Sequence, residues 1–460
     1  MSTDRHLRDV HRTRPVVLFV LLALATTAWG QATTEVPGEL LTLEQALVLA
    51  LRNNRQVQNA ALEVDKAAAR VAAMRTRRLP VFKVTVTGLY LLMPIEVEFK
   101  QGDFGTFPST GPIPAEDTTI RTPPGFQSSV SASVAQPLSQ LYRIGLNIQQ
   151  QAVNQHITRE QLQSQRQTTV YDVKRAYYSI LQTRSALEAA AAALATYREL
   201  DRLVERYVAQ QTALGADSLE VKTRLARTEY EVLTLRNALA AQHEQLNELL
   251  GRDIRTAFRV SPVPDATPFE ADLAAAQAQA LKQRPEVQIA QLKVAQATND
   301  LRIKHAEYIP DLNVVFSYLS PVTSEVLPQH ITYVGLEFSW DLYDWGRKQA
   351  EITERRKTLE QARNDFRHAE PQILLEVNAR FRTLQEQRVL LRVNQLEQET
   401  AQEKLRVTTQ KYSQQAVLLQ DVLQDQATVA EATHQYQKAL LTFWTARAEF
   451  EKALGDTYEE

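Results

Sequence analysis

LEQALVLALRNNRQVQNAALEVDKAAARVAAMRTRRLPVFKVTVTGLY, residues 43–90, returns without a gap as LAAAQAQALKQRPEVQIAQLKVAQATNDLRIKHAEYIPDLNVVFSYLS, residues 273–320. Leu43 meets Leu273, Ala50 and Leu51 meet Ala280 and Leu281, Val57 and Gln58 meet Val287 and Gln288, and Pro80 meets Pro310, each 230 positions on. A duplication this long predicts two structurally equivalent halves. In each half a helical pattern ends at a proline, and a strand pattern begins.

The strand pattern is an alternation of period two. Between Val81 and Leu92, Phe82, Val84, Val86, Tyr90 and Leu92 alternate with Lys83, Thr85 and Thr87. Residues 129–136 set Val130, Ala132 and Val134 against Ser129, Ser131 and Ser133. In the second half Leu312, Val314, Phe316 and Tyr318 share one face, as do Val334, Leu336, Phe338 and Trp340. Runs of about 8–12 residues, apolar on one face and aromatic near the ends, fit tilted strands that span a membrane.

The rest of the chain reads as helix. From Leu138 to Gln210 no proline intervenes, and one helix of that length would reach about 110 Å at 1.5 Å per residue. Gly346 to Ser413 is comparable, with a break expected at Pro371. Each run is followed by a second helix, Asp217 to Leu250 and Asp421 to Leu454. Leu225, Val232, Leu239 and Leu246 recur every seven, accompanied by Thr228, Leu235, Gln242 and Leu249. The second half repeats this at Val429, Tyr436, Phe443 and Phe450, with Ala432, Ala439, Ala446 and Ala453. Sustained sevens predict coiled-coil packing between neighbouring helices.

Residues 1–30 read as an export signal: Arg5, Arg8, Arg12 and Arg14 precede the apolar run Val16–Ala25, with small residues at Ala28 and Gly30. The first repeat then occupies 31–250 with a β-hairpin at 81–137. A proline-bearing linker occupies 251–268, and the second repeat occupies 269–460 with a hairpin at 311–341. The loop from Met93 to Phe126 holds six prolines and four glycines, a composition that predicts irregular structure. The chain has no cysteine, and its 52 basic residues against 54 acidic ones leave no electrostatic footprint for nucleic acid. No Gly-rich phosphate loop, HExxH or G-x-S-x-G motif is present, so no enzyme, cofactor or metal is expected.

Four strands cannot close a barrel, and an open edge in lipid leaves backbone groups unpaired at several kcal/mol each. The strands are therefore expected to be shared among copies. Two copies give eight strands and a filled interior, whereas three give twelve and room for a bore. The charged helices cannot lie in lipid and must project into the periplasm. Two other classes also carry an export signal and long helices. A periplasmic adaptor has a single hairpin within flanking β-domains, and a secreted structural coiled coil has no use for four alternating strands.

Over essentially its whole mature length, from Leu43 to Gly455, the chain resembles the TolC-like outer membrane efflux family. The resemblance rests on the paired repeats ALRNNRQVQNA and ALKQRPEVQIA, on the strand-to-helix passages QPLSQLYRIG and WDLYDWGRK, and on the endings NELLG and EKALG. It implies a mainly helical protomer with membrane strands, three copies of which form a homotrimer in the outer membrane lipid. Such a trimer has a twelve-stranded β-barrel continued by an α-helical barrel. It further implies a passive exit duct of an efflux or type I secretion system, served by a periplasmic adaptor and an inner-membrane pump.

The helix turns farthest from the strands are RYVAQQTALGADSLE and KYSQQAVLLQDVLQD. Threefold symmetry would turn Asp217 and Asp421 into carboxylate rings, which favour cations. Equally, Asp217-x-x-Glu220 suits a capping box, and Asp421 a helix start. The family's constriction carries a tyrosine, an arginine and two aspartates. By resemblance Tyr412 and Asp421 match, Val417 replaces the arginine, and Gln424 replaces the second aspartate, with Asp425 beside it. Tyr207 is the first-half counterpart of Tyr412. The adaptor-contact turns would be Gln210 and Gln211, and Gln414 and Gln415, where Gln210 and Gln415 stand at the family's glycine.

Overall fold

The computed structural model describes residues 39–211, 214–264, 272–322, 328–414, 416–417 and 419–456. The expected export signal lies outside the described residues, as do residues 265–268 at the end of the expected linker and 269–271 at the start of the expected second repeat. Strand β1 (Glu39–Leu41) leads to α1 (Leu43–Asn53), α2 (Arg55–Thr76) and β2 (Val81–Leu91). A surface excursion carries β3 (Ile95–Phe99), β4 (Thr106–Phe107), β5 (Gly111–Pro112) and β6 (Thr118–Thr122). Then β7 (Gly125–Pro137) returns and passes into the long hairpin α3 (Leu141–Ala209) and α4 (Gly215–Leu249). After β8 (Phe258–Val260) the order recurs: α5 (Leu273–Gln283), α6 (Pro285–Ala306), β9 (Asp311–Pro321), β10 (Ile331–Ser339), α7 (Arg347–Ser413) and α8 (Leu419–Leu454).

Local chemistry sets the short helices. Thr42 and Gln45 close a reciprocal capping box on α1, with N–H to side-chain oxygen distances of 3.2 and 3.0 Å. Asn54 caps α2 by accepting from the Gln56 and Val57 amides, and its side chain donates to the Leu249 carbonyl at 2.9 Å. In the second half Arg284 stands at the position of Asn54, and Pro285 opens α6 at a place where a missing N–H costs nothing.

The two glycine endings have a shared cause. Gly251 has φ +67°, and a Cβ there would collide with the Asn53 carbonyl. Gly455 has φ +83°, and its Cβ would come 3.0 Å from the Arg284 nitrogen. Each long helix thus ends on a left-handed residue pressed against the junction of the two short helices of its half.

The heptads are the packing seams. Along α4, Val232 and Leu246 are buried with Thr228, and along α8 Phe443, Phe450, Ala439, Ala446 and Ala453 are buried. Full burial of each large side chain contributes about 1.5–3 kcal/mol. Where the two halves meet, β1 pairs in parallel with β8, within the residues expected to be linker. The buried Tyr177 hydroxyl lies 2.9 Å from the Leu41 carbonyl and 2.8 Å from that of Ser261, tying both strands to α3. Burial pushes this phenol up to about 12.

Two expectations are corrected. Pro371 does not break α7, which runs through it for 67 residues. The cost of one lost backbone bond is spread over a helix held along its length by α6 and α8. The excursion between β2 and β7 is not irregular throughout. Ile95, Val97 and Phe99 pair across β6 with Thr122, Ile120 and Thr118, while Glu96 pairs with Arg121 at 3.0 Å. Its prolines fall outside this ladder, at 94, 108, 112, 114, 123 and 124.

Candidate functional site

The four long strands form one sheet in the order β10-β9-β7-β2, antiparallel throughout. Register carries the sequence alternation across it. Phe82 lies opposite Val134, Val134 opposite Phe316, and Phe316 opposite Val334. On the other face Lys83 meets Ser133, Ser133 meets Ser317, and Ser317 meets Tyr333. One face is therefore mainly apolar, and the other carries the polar rows, with an apolar row at Val81, Ala135, Val315 and Gly335 near its helical end. Val84, Val86, Leu336 and Phe338 are all exposed on the apolar face of the protomer. The sheet ends at β2 on one side and β10 on the other, and among the described residues no further strand pairs with either outer edge. At its helical end the hairpins are locked together. Arg143 pairs with Asp311 at 3.1 Å, and the Ser139 hydroxyl donates to the Pro310 carbonyl at 2.6 Å.

Among the described residues no helix is long and apolar enough to cross a membrane, and no cluster of His, Asp or Glu could hold a metal ion.

At the far end of the first helical hairpin, Gln210 ends α3 with its N–H on the Arg206 carbonyl at 3.1 Å, and Gln211 takes a left-handed φ of 62°. Tyr207 is half-exposed there. Asp217 is exposed, and it closes the first turn of α4 as the third helical residue rather than as the cap. Its carboxylate accepts from the Leu214 amide at 3.2 Å. Glu220, expected to complete a box with Asp217, instead pairs with Arg224 at 2.6 Å.

In the second hairpin the Gln414 amide returns to the Lys411 carbonyl at 3.1 Å. Gln415 and the side chain of Tyr412 lie outside the described residues. Asp421 and Gln424 are exposed in the first turns of α8. Asp425 behaves differently. It is 5% exposed, accepts from the Thr408 hydroxyl at 2.7 Å, and pairs with Lys404 at 2.7 Å. The ammonium and hydroxyl hold its carboxyl below the usual aspartate range. Asp425 lies seven residues before Ala432, on the same seam, and Val221 holds the matching position in α4. Extending the heptad one step back would have placed Asp425 between α7 and α8.

The profile of the outer membrane efflux protein family matches residues 46–252 and again 276–456. The chain belongs to this family. It is an outer-membrane efflux channel protein whose helical part is periplasmic. Solved structures agree in fold. The outer-membrane channel OprN matches with a TM-score of 0.70 at 16% identity, over 90% of this chain and 89% of that one. The Campylobacter jejuni CmeC outer membrane channel gives 0.72 at 13%, over 94% and 93%. The Neisseria gonorrhoeae MtrE outer membrane channel, solved in its open state, gives 0.65 at 15%, over 90% and 88%. No curated protein matches the sequence closely enough to count as a relative.

Proposed function

We propose that three copies of this chain close their sheets edge to edge into a twelve-stranded barrel, which serves as a passive exit duct and catalyses no reaction. The observation that carries this reading is a four-stranded sheet with one mainly apolar face and two outer edges, β2 and β10, joined directly to charged helices of about 100 Å. In lipid such a sheet is stable only when β2 of one copy pairs with β10 of the next. The polar row at Lys83, Ser133, Ser317 and Tyr333 then lines the bore.

Substrates enter from an inner-membrane pump through a periplasmic adaptor that grips the turns at Gln210, Gln211, Gln414 and Gln415. Asp217 and Asp421 ring the periplasmic mouth, with Tyr207 and Tyr412 nearby and Gln424 one turn into α8. Two equivalent repeats, 31–250 and 269–460, build this duct. The mass of the detergent-solubilised protein tests the reading. Three chains per particle are expected, and a monomer stably inserted in membranes would refute it.

A further inference from the structure

The elbow from α2 into β2 reads Arg75-Thr76-Arg77-Arg78-Leu79-Pro80, all exposed. Among the described residues no carboxylate lies in ion-pair range of Arg75, Arg77 or Arg78. Neighbouring cations differ: Arg143 pairs with Asp311 at 3.1 Å, and Lys304 with Glu307 and Glu351 at 3.0 Å each.

The fold does not require these arginines. The second half turns the same corner as His305-Ala306-Glu307-Tyr308-Ile309-Pro310. The backbone bonds correspond: Arg77 to Met74 and Arg78 to Arg75 at 3.2 and 3.3 Å, Glu307 to Lys304 and Tyr308 to His305 at 3.2 and 3.3 Å.

The elbow sits at the helical rim of the apolar band. Gln136, which ends the row of Val130, Ala132 and Val134 in β7, donates to the Arg78 carbonyl at 3.0 Å. The Arg78 guanidinium lies along α3 at Gly145, where a Cβ would come 3.6 Å from it. Tyr142, three residues earlier and so on the same helix face, is 58% exposed. One elbow thus exposes three cations without a carboxylate in range, and one of them, Arg78, lies along the α3 face that carries the amphipathic phenol of Tyr142, where a lipid-facing strand leaves the membrane.

We infer that this elbow binds the anionic headgroup of a phospholipid in the periplasmic leaflet. Arg75, Arg77 and Arg78 hold the phosphate, and Tyr142 lies at the boundary with the acyl chains. The inference rests on the barrel reading above. In a closed barrel the foot of a neighbouring copy's β10 would stand beside this elbow, and the two aspartates that follow β10 already have partners in their own chain. Asp341 lies 4.0 Å from Arg347 and 3.9 Å from Lys348, and Asp344 accepts from the Gly346 and Lys348 amides.

Native mass spectrometry of the full chain in detergent, titrated with phosphatidylglycerol and separately with phosphatidylethanolamine, tests this. Each basic side chain near an anionic surface adds several-fold to affinity. The protein with Arg75→Gln, Arg77→Gln and Arg78→Gln should therefore hold phosphatidylglycerol at least tenfold more weakly than wild type. Lysine at all three positions should retain most of the binding, and phosphatidylethanolamine should not distinguish the proteins. Equal phosphatidylglycerol binding by wild type and the glutamine variant would overturn the inference. Dissociation of the glutamine variant into single chains in lipid-free detergent would also overturn it, by assigning the arginines to a neighbouring copy. Failure of the barrel reading shows separately, as a wild-type protein that never enters the outer-membrane fraction.

Discussion

Placing an arginine at Val86 should be far more costly than placing one at Thr85, its neighbour in sequence. β2 has 11 residues, and Val86 is the sixth. At about 3.4 Å per residue and a tilt near 40°, the strand covers roughly 28 Å of depth, so Val86 lies within a few ångströms of the bilayer midplane. Val86 is 71% exposed and pairs with Val130 on the apolar face, whereas Thr85 faces Ser131 on the polar one. A lipid-facing arginine at the midplane costs about 2–4 kcal/mol per copy, or roughly 6–12 kcal/mol for three copies that fold as a unit. Thr85→Arg, with its head in the watery bore, should stay within about 0.5 kcal/mol. Urea titration of folding into phospholipid vesicles measures the difference. Equal costs at the two positions, or a larger cost at Thr85, would refute the assignment of the two faces.

Three further outcomes are expected. At the periplasmic mouth, Asp421→Asn should weaken cation preference in planar-bilayer recordings, and Tyr412→Ala should raise resting conductance more; no change in either variant would leave Asp421 as part of a helix start and Tyr412 as part of a helix end alone. Asp425 has its carboxyl pK lowered by Lys404 and Thr408, so its contribution is present above the ordinary aspartate value near 4 and is lost as pH falls below it. Spin labels on the ends of α7 and α8 should therefore separate as the pH is taken from neutral to below the ordinary aspartate value near 4 in wild type but not in Asp425→Val, and a wild-type distance that ignores this acidification would contradict it. A tag inserted at Gly111 should be reached by antibody on intact cells, and detection only after lysis would invert the hairpin's orientation.

The sheet was legible because burial on one side of a strand writes a period of two into the sequence, and Phe82 to Thr87 follows that period before Leu89 and Leu91 blur it. The seams were legible for the same reason at a period of seven, from Leu225 to Leu246 and from Val429 to Phe450. What composition hid was local context. Proline at 371 carries a real backbone penalty, yet packing on both flanks of α7 outweighs it. Prolines and glycines in 93–126 obscured the alternation of Ile95, Val97 and Phe99. Asp425 read as a pore residue because a carboxylate suggests water, but its heptad position points into α7, where Lys404 and Thr408 make its burial tolerable. Asp217 was rightly seen as part of a cap, but one turn geometry away from its actual role.

The central claim is that β2 of one copy meets β10 of the next. The chain has no cysteine, so engineered pairs report without background. Within one chain the two edges are three strand spacings apart, roughly 14 Å, beyond the limit of about 7 Å between Cα atoms for a disulfide. Chains carrying one cysteine at Lys83, Thr85 or Thr87 and one at Tyr333, Gly335 or Glu337 should be oxidised in the outer membrane and sized under denaturing conditions. At least one pairing is predicted to give covalent dimers and trimers and nothing larger. A ladder that runs past three, or no crosslink at any register, would contradict the account.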